Sequence, residues 1–126
     1  MKSKFVLAAV TIVLCMAAPL RAQDAPVMRV IVVQTDNPSA YMKEVLETGR
    51  AHMKRLESSG NLRIWKAKYA GSDAGSVIVA IEYPSLTALA ADDKKSAADP
   101  ALGAWVRGLD KLRKIVSDSL YSEAKP

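Results

Sequence analysis

Short apolar segments alternate along this chain with longer segments in which apolar residues recur at the spacing of a helix. Val27–Gln34 and residues 76–83 are rich in β-branched side chains, are bounded by turn residues, and are too short for helices in this context. Both segments therefore predict strands. Residues 62–70 and 115–123 carry more polar side chains but keep the strand pattern, and they predict two further strands. We expect four strands in all.

The segment between the first two strands predicts a helix over residues 38–58. Asn37 can cap its start, Pro38 suits its first position, and Gly60 can end it. Its apolar residues recur in alternating steps of four and three and form one stripe, namely Met42, Leu46, Gly49, Met53 and Leu56.

A second helical region follows the third strand. Ser85 is its expected N-cap, residues 92–95 form a solvated stretch, and Asp99 both ends the first helix and caps a second one. The positions expected to be buried in the two helices are Leu86, Leu89 and Ala90, then Leu102, Trp105, Val106 and Leu109.

The resulting order is β-α-β-β-α-β, the split βαβ arrangement of a ferredoxin-like α+β sandwich with a four-stranded antiparallel sheet. This topology places the first and third strands in the centre of the sheet. The composition agrees, because these two strands are apolar on both faces whereas the other two carry charged side chains. Charges on edge strands protect them from uncontrolled pairing.

Apolarity on both faces of the central strands has a further consequence. Helices in this topology cover one face of the sheet, so the other face needs a partner. We expect a homodimer in which two sheets pack face to face and form a dimeric α/β barrel. The alternative is a monomer whose second face is loosely covered.

The N-terminal segment predicts export. Residues 1–22 resemble a signal peptide, with Lys2 and Lys4 before fourteen apolar residues and a cleavage point after Ala22. Residues 23–26 are then a short leader, and residues 27–126 form a single domain. The alternative is an uncleaved anchor, but fourteen apolar residues are fewer than the roughly 20 that span a bilayer. We expect a periplasmic or secreted protein with no membrane segment after cleavage.

Cleavage also changes the composition. It removes Cys15, the one cysteine, and three cations, so about 104 residues remain and the formal net charge falls from +5 to about +2. A disulfide-stapled or multidomain protein is thereby excluded, and nucleic-acid binding is not expected. One histidine and no mature cysteine supply no metal-ligand set, and no cofactor motif is present.

Several segments of the mature chain carry a resemblance to known proteins, namely residues 65–69, Gly71, residues 82–86, residues 98–100, Trp105 and residues 117–121. With them the chain resembles the dimeric α/β-barrel superfamily, and within it the NIPSNAP-like and antibiotic-biosynthesis-monooxygenase-like proteins. The resemblance implies a barrel built from two sheets, often with a small-molecule pocket between helices and sheet. Functions in the superfamily range from cofactor-independent oxygenation and haem degradation to no known activity. None of their catalytic motifs maps onto this sequence residue by residue.

Five side chains are candidates for lining such a pocket: Tyr41, His52, Trp65, Tyr69 and Trp105. His52 is the only histidine, and it either faces the pocket as a proton shuttle or lies at the boundary of the apolar stripe. Trp and Tyr combine an apolar ring with a polar group, which suits a flat organic ligand, but they equally suit a core or a dimer interface.

Three functions are compatible with these residues. The first is an exported dimeric protein that binds a small apolar or aromatic ligand in a helix–sheet pocket. The second is a cofactor-independent monooxygenase-like enzyme. The third is a structural or interaction module whose barrel is filled by side chains. We expect the first, without catalysis, because the sequence shows no nucleophile or acid–base motif.

Overall fold

The structure, a computed structural model, describes residues 25–126, so the predicted signal peptide lies outside the described residues. A π-helical turn at Val45–Gly49 joins the first two helices, and a short 3₁₀ turn at Gly71–Asp73 lies between the second and third strands. The strands are β1 (Val27–Gln34), β2 (Asn61–Lys66), β3 (Val77–Tyr83) and β4 (Lys114–Ser122). The helices are α1 (Pro38–Glu44), α2 (Arg50–Arg55), α3 (Leu86–Ala97) and α4 (Pro100–Leu109).

The four strands form one antiparallel sheet in the order β2-β3-β1-β4. The predicted α+β ferredoxin-like fold is confirmed, with β1 and β3 in the centre and the two more polar strands at the edges. The pairing of β1 with β4 is interrupted by a register shift between Val32 and Val33. β2 ends at Lys66, four residues earlier than the predicted strand.

The helices α1, α3 and α4 begin after the N-cap residues that the sequence predicts. The side chain of Asn37 accepts a hydrogen bond from the N–H of Ala40 at 3.1 Å, and Pro38 follows it at the first helical position. Ser85 caps α3 through the N–H of Ala88 at 3.0 Å. The carboxylate of Asp99 caps α4 through the N–H of Leu102 at 2.8 Å. Each cap satisfies a donor that the first turn of a helix leaves unpaired.

The first helical segment differs from the prediction in its middle and at its end. It is interrupted by the π-helical turn and ends at Arg55. Glu57, not Gly60, adopts the left-handed conformation past the helix end, with φ 51°. The N–H of Ser58 then bonds the carbonyl of Met53 at 2.9 Å, as in a Schellman motif. Gly60 is instead needed for packing, because a Cβ there would lie 2.8 Å from Cγ2 of Ile81.

The core lies between the helices and one face of the sheet. Tyr41, Val33 and Val77 are its fully buried side chains. In α3 the inward positions are Leu89 and Asp92, whereas Leu86 and Ala90 are exposed, which corrects the burial predicted for those two residues. α4 buries Leu109 and leaves Val106 exposed, while its two other predicted core residues are half-buried. The helices therefore contact the sheet over a narrower stripe than the sequence indicates.

Among residues 25–126 no helix covers the opposite face of the sheet, where Val32 and Ala80 on the central strands are buried and residues on the edge strands are exposed. Strand alternation and register place Trp65, Ile78, Val32 and Ser117 in one row across this face. Trp65 is 56% exposed and Tyr121, on the same face, is 54% exposed. We call this surface the open face. Within residues 25–126, no helix combines the length and apolarity needed to cross a membrane.

Candidate ligand cavity

A cavity of about 310 Å³ lies between the helices and the covered face of the sheet. Its wall is mostly apolar because successive residues of a strand point to opposite faces, and most inward positions of β1 and β3 are β-branched. The helices close it with the ring of Tyr41, the side chain of Met53 and the indole of Trp105. The apolar side chains of the wall include Ile31, Val79, Ile81, Val45, Leu102 and Leu109.

A buried cation lies at one end of the cavity. The side chain of Arg113 is only 8% exposed, and its Nη1 donates a 2.9 Å hydrogen bond to the hydroxyl of Tyr41. The guanidinium carbon lies 5.8 Å from the centre of the Tyr41 ring, which adds a cation–π contact. Nε of Arg113 is buried and has no hydrogen-bond partner among the described residues. Asp110 approaches it to 3.7 Å, beyond hydrogen-bond distance, from an exposed position.

The other end of the cavity is held by an ion pair on the sheet. Arg29 of β1 donates to both carboxylate oxygens of Asp118 on β4, at 2.9 Å from Nε and 2.6 Å from Nη2. The hydrogen bonds from Arg29 lower the pKa of Asp118 below its ordinary value. Along β1, Arg29 lies four residues, or about 13 Å of strand, before Val33, and Val33 pairs with Ile115, two residues after Arg113. The charge of Arg113 also contributes to the lowered pKa of Asp118, so this carboxylate interacts with both arginines.

A polar network joins α3 to the sheet at the Arg29 end. Asp92 accepts hydrogen bonds from Ser58 Oγ at 2.5 Å and from the hydroxyl of Tyr83 at 3.0 Å. Burial and the nearby Asp92 carboxylate raise the pKa of Tyr83 well above its ordinary value. Asp92 is itself buried, so the prediction of a solvated stretch over residues 92–95 is wrong for this residue. Its helical phase turns it inward together with Leu89.

Trp105 is fixed on both sides of its ring. Its Nε1 donates a 2.9 Å hydrogen bond to Glu44, and this bond is the main cause of the lowered pKa of Glu44. The imidazole of His52 lies against the indole with ring centres 5.4 Å apart. Nδ1 of His52 lies 2.9 Å from Nη2 of Arg55, and since arginine only donates, Nδ1 is the acceptor. Arg55 also forms a two-point ion pair with Asp99.

The structure brings some of the five predicted pocket residues together and separates others. Tyr41 and Trp105 line the cavity, and His52 lies behind Trp105 without lining it. Trp65 lies on the open face, because Ile64 is the β2 residue whose register pairs it with Val79 on the cavity side.

Tyr69, the fifth residue, is fully exposed in the loop after β2. The early end of this strand breaks the alternation that would have kept Tyr69 in phase with Trp65. These two residues are therefore excluded from the cavity.

Several cavity residues were not predicted from the sequence. Arg29 could have been predicted to lie at the cavity, because it is a charged residue within an apolar central strand. An arginine that points toward the core needs a polar partner. Tyr83, at the end of β3, and Asp92, on α3, gave no such signal of their place at the cavity. Arg113 stands in a cluster of cations at residues 111–114 and cannot be told from its exposed neighbours without the fold.

Within residues 25–126, no three His, Cys, Asp or Glu side chains are arranged to hold a metal ion. A wider, shallower depression of about 640 Å³ lies at the β1–α1 turn and the start of β4, and its wall is mostly polar. Arg113 borders both this depression and the cavity.

No protein-family model matches this sequence, and no curated protein is similar to it in sequence. Solved structures do match its fold. SnoaB from Streptomyces nogalater, described as a cofactor-independent oxygenase, superposes with a TM-score of 0.59 at 13% identity, over 81% of this chain and 96% of that one. A NIPSNAP family protein of unknown function from Agrobacterium tumefaciens gives 0.61 at 16% identity, over 83% and 92%.

A third match is HapK from Hahella chejuensis, with a TM-score of 0.60 at 12% identity, over 79% of this chain and 94% of that one. This chain has the fold of these proteins. The resemblance predicted from the sequence is thereby confirmed at the level of fold. Identities this low carry the architecture alone, because one fold supports many unrelated activities.

Proposed function

We propose that this domain binds a small, largely apolar, aromatic ligand in the cavity between its helices and its sheet. The main observation in support of this proposal is the cavity itself. Its volume of about 310 Å³ lies at the lower end of the range of small-molecule sites, which runs from about 300 to 1,000 Å³. A helix–sheet core filled completely by side chains would leave no such space, so this volume argues against a purely structural module.

The chemistry of the wall supports the same proposal. Apolar side chains dominate, and a small number of polar groups stand at the two ends. Such sites recognise flat organic molecules through ring contacts, with polar groups setting the orientation. Trp105 presents an indole whose position is fixed by Glu44, so it is available as a rigid stacking surface.

The two tryptophans of the chain allow a direct test, since Trp105 borders the cavity and Trp65 lies on the open face. We would record the indole N–H resonances of the ¹⁵N-labelled protein while adding 2-naphthoate or the neutral 2-naphthamide. Trp65→Phe assigns the two signals. We expect at least one compound to shift the Trp105 signal saturably while the Trp65 signal stays in place. If neither compound moves the Trp105 signal, the proposal fails.

A second candidate is cofactor-independent oxygenation, favoured by the similarity in fold to SnoaB. It ranks second because the titratable groups near the cavity are already engaged. Asp92 accepts hydrogen bonds from two hydroxyl groups. His52 lies behind Trp105, and its Nδ1 accepts a hydrogen bond from Arg55. Oxygen consumption with quinol-type compounds tests this function, and the absence of any uptake by the wild-type protein would exclude it.

We also propose that the domain is exported and works as a homodimer through the open face. The N-terminal residue pattern supports export, and the exposed aromatic rings of Trp65 and Tyr121 on an apolar sheet face support the dimer. Native mass spectrometry of protein purified from its own compartment would report the cleavage site, the number of chains and any retained ligand together. A mature chain that does not begin at Gln23 would contradict the proposed cleavage.

A further inference from the structure

We propose that the cavity selects ligands that carry a carboxylate, and that Arg113 and Tyr41 bind this group. The inference rests on the proposed ligand-binding function and adds the chemical class of the ligand. It starts from an imbalance between hydrogen-bond donors and acceptors at one end of the cavity.

Arg113 has unused donors in a buried position. A guanidinium carries five N–H donors and no acceptor. One of them is used by the hydroxyl of Tyr41, and Nε has no partner among the described residues although the side chain is 8% exposed. A buried donor without an acceptor is costly, more so when it carries charge. An incoming anion would offset the cost of burying this charge.

Tyr41 contributes a second donor at the same place. Its side chain has no solvent exposure, and its oxygen is the acceptor of the Arg113 bond. The phenolic hydrogen is then free to donate, and within the described residues no acceptor receives it. Nη1 of Arg113 keeps a second N–H, and this donor and the phenolic hydrogen lie beside one another, matching the two oxygens of a carboxylate.

The distribution of charge along the cavity directs an anion to this end. Asp92 and Asp93 lie toward Arg29, and the hydrogen bonds of Arg29 are taken by Asp118, which the charge of Arg113 also reaches. Asp110 forms an ion pair with Nε of Arg113 at 3.7 Å, from an exposed position and without a hydrogen bond, so the Nη1 side of the guanidinium is left for an anion. An aromatic acid would therefore place its carboxylate at Arg113 and its rings along the apolar wall toward Trp105.

The test compares 2-naphthoate with 2-naphthamide, which has the same rings and no charge, by titrating the Trp105 indole N–H signal. We expect the wild-type protein to prefer the acid by about tenfold or more, the factor that a charge-assisted hydrogen bond supplies. Arg113→Gln should reduce this preference to near unity. Tyr41→Phe keeps the ring and should reduce it several-fold. Arg107→Gln changes an exposed arginine of α4 and should leave it unaltered.

The possible outcomes separate this inference from the function on which it rests. Equal affinity of the wild type for the two compounds would overturn the carboxylate inference and leave ligand binding standing. A preference that survives Arg113→Gln would assign recognition to another cation and overturn the role of Arg113. Failure of both compounds to move the Trp105 signal would overturn the ligand site as well. The wild-type comparison decides the matter even if a variant does not fold.

Discussion

Gly49 and Trp105 are in direct contact across the helical layer: a Cβ built on Gly49 would lie 2.9 Å from Cη2 of the indole. Gly49 ends the π-helical turn and is buried. The close approach of the two helical segments therefore depends on the missing side chain. The same contact holds the indole where it borders the cavity and reaches Glu44.

Gly49→Ala is expected to destabilise the protein, because the added methyl forces the indole to move. Overpacking of this kind costs about 1–3 kcal/mol, which exceeds the gain of up to about 1 kcal/mol from replacing a helical glycine. Urea unfolding measures the difference. Gly108→Ala, in α4 with no atom within 4 Å of its Cβ, is the matched control and should be neutral or stabilising. Equal effects of the two substitutions would contradict this packing role.

Asp92→Ala is expected to lower the free energy of unfolding by about 1.5–3 kcal/mol, the range for hydrogen bonds to a charged group. It removes the acceptor of both Ser58 and Tyr83. Asp93→Ala, one residue further along α3 and exposed, should change stability by no more than about 0.5 kcal/mol. Chemical denaturation of both variants tests the contrast. Similar losses in both would mean that the network does not stabilise the fold.

Asp99 is expected to make stability depend on acidic pH. Its hydrogen bonds with Arg55 and with the N–H of Leu102 lower its pKa from 3.8 to about 2. A carboxylate with a lowered pKa in the folded state contributes stability that is complete above its unfolded value and is lost as the pH falls through its folded value. The contribution should therefore be constant above about pH 5 and should decline from about pH 4 to about pH 2.

Asp99→Asn isolates this contribution, because asparagine keeps the helix cap but loses the ion pair. Unfolding free energies of the wild type and the variant should differ at pH 6 and converge toward pH 2. Asp36→Asn, at an exposed position in the β1–α1 turn, is the control and should run parallel to the wild type. A gap between wild type and Asp99→Asn that does not close in acid would contradict the assignment.

Trp65→Glu is expected to dissociate the proposed homodimer, because a charge placed within a sheet-to-sheet interface is costly to bury. Tyr69→Glu makes the same kind of change at a loop residue away from the open face, and it should leave the dimer intact. Sedimentation velocity gives the mass of each variant. A wild-type protein that sediments as a single chain at micromolar concentration would remove the dimer proposal.

Local chemistry accounts for the parts of the fold that could be predicted from the sequence. Asn37, Ser85 and Asp99 cap helices in the structure as expected, because a cap involves residues two or three positions apart. The central and edge strands were distinguishable because apolarity on one or both faces of a strand is visible in its own residues. The element order then restricts the topology to very few arrangements.

The composition of the cavity could be predicted only in part. Tyr41, Trp65 and Trp105 were candidates because Trp and Tyr combine an apolar ring with a polar group, and the structure places Tyr41 and Trp105 at the cavity. Trp65 lies on the open face, since a shift of one residue in strand phase moves a side chain to the opposite face. Only the pairing of β2 with β3 fixes that phase, and it places Ile64 rather than Trp65 on the inside.

By itself, then, the sequence determined which segments form strands and helices and in what order they follow. Tertiary structure alone decided which polar side chains are buried: Asp92 turns inward on α3, and Arg113 is enclosed between β4 and Tyr41. The physical reason is that propensities and caps depend on neighbours along the chain, whereas the burial of a charge depends on residues that are distant in sequence and close in space.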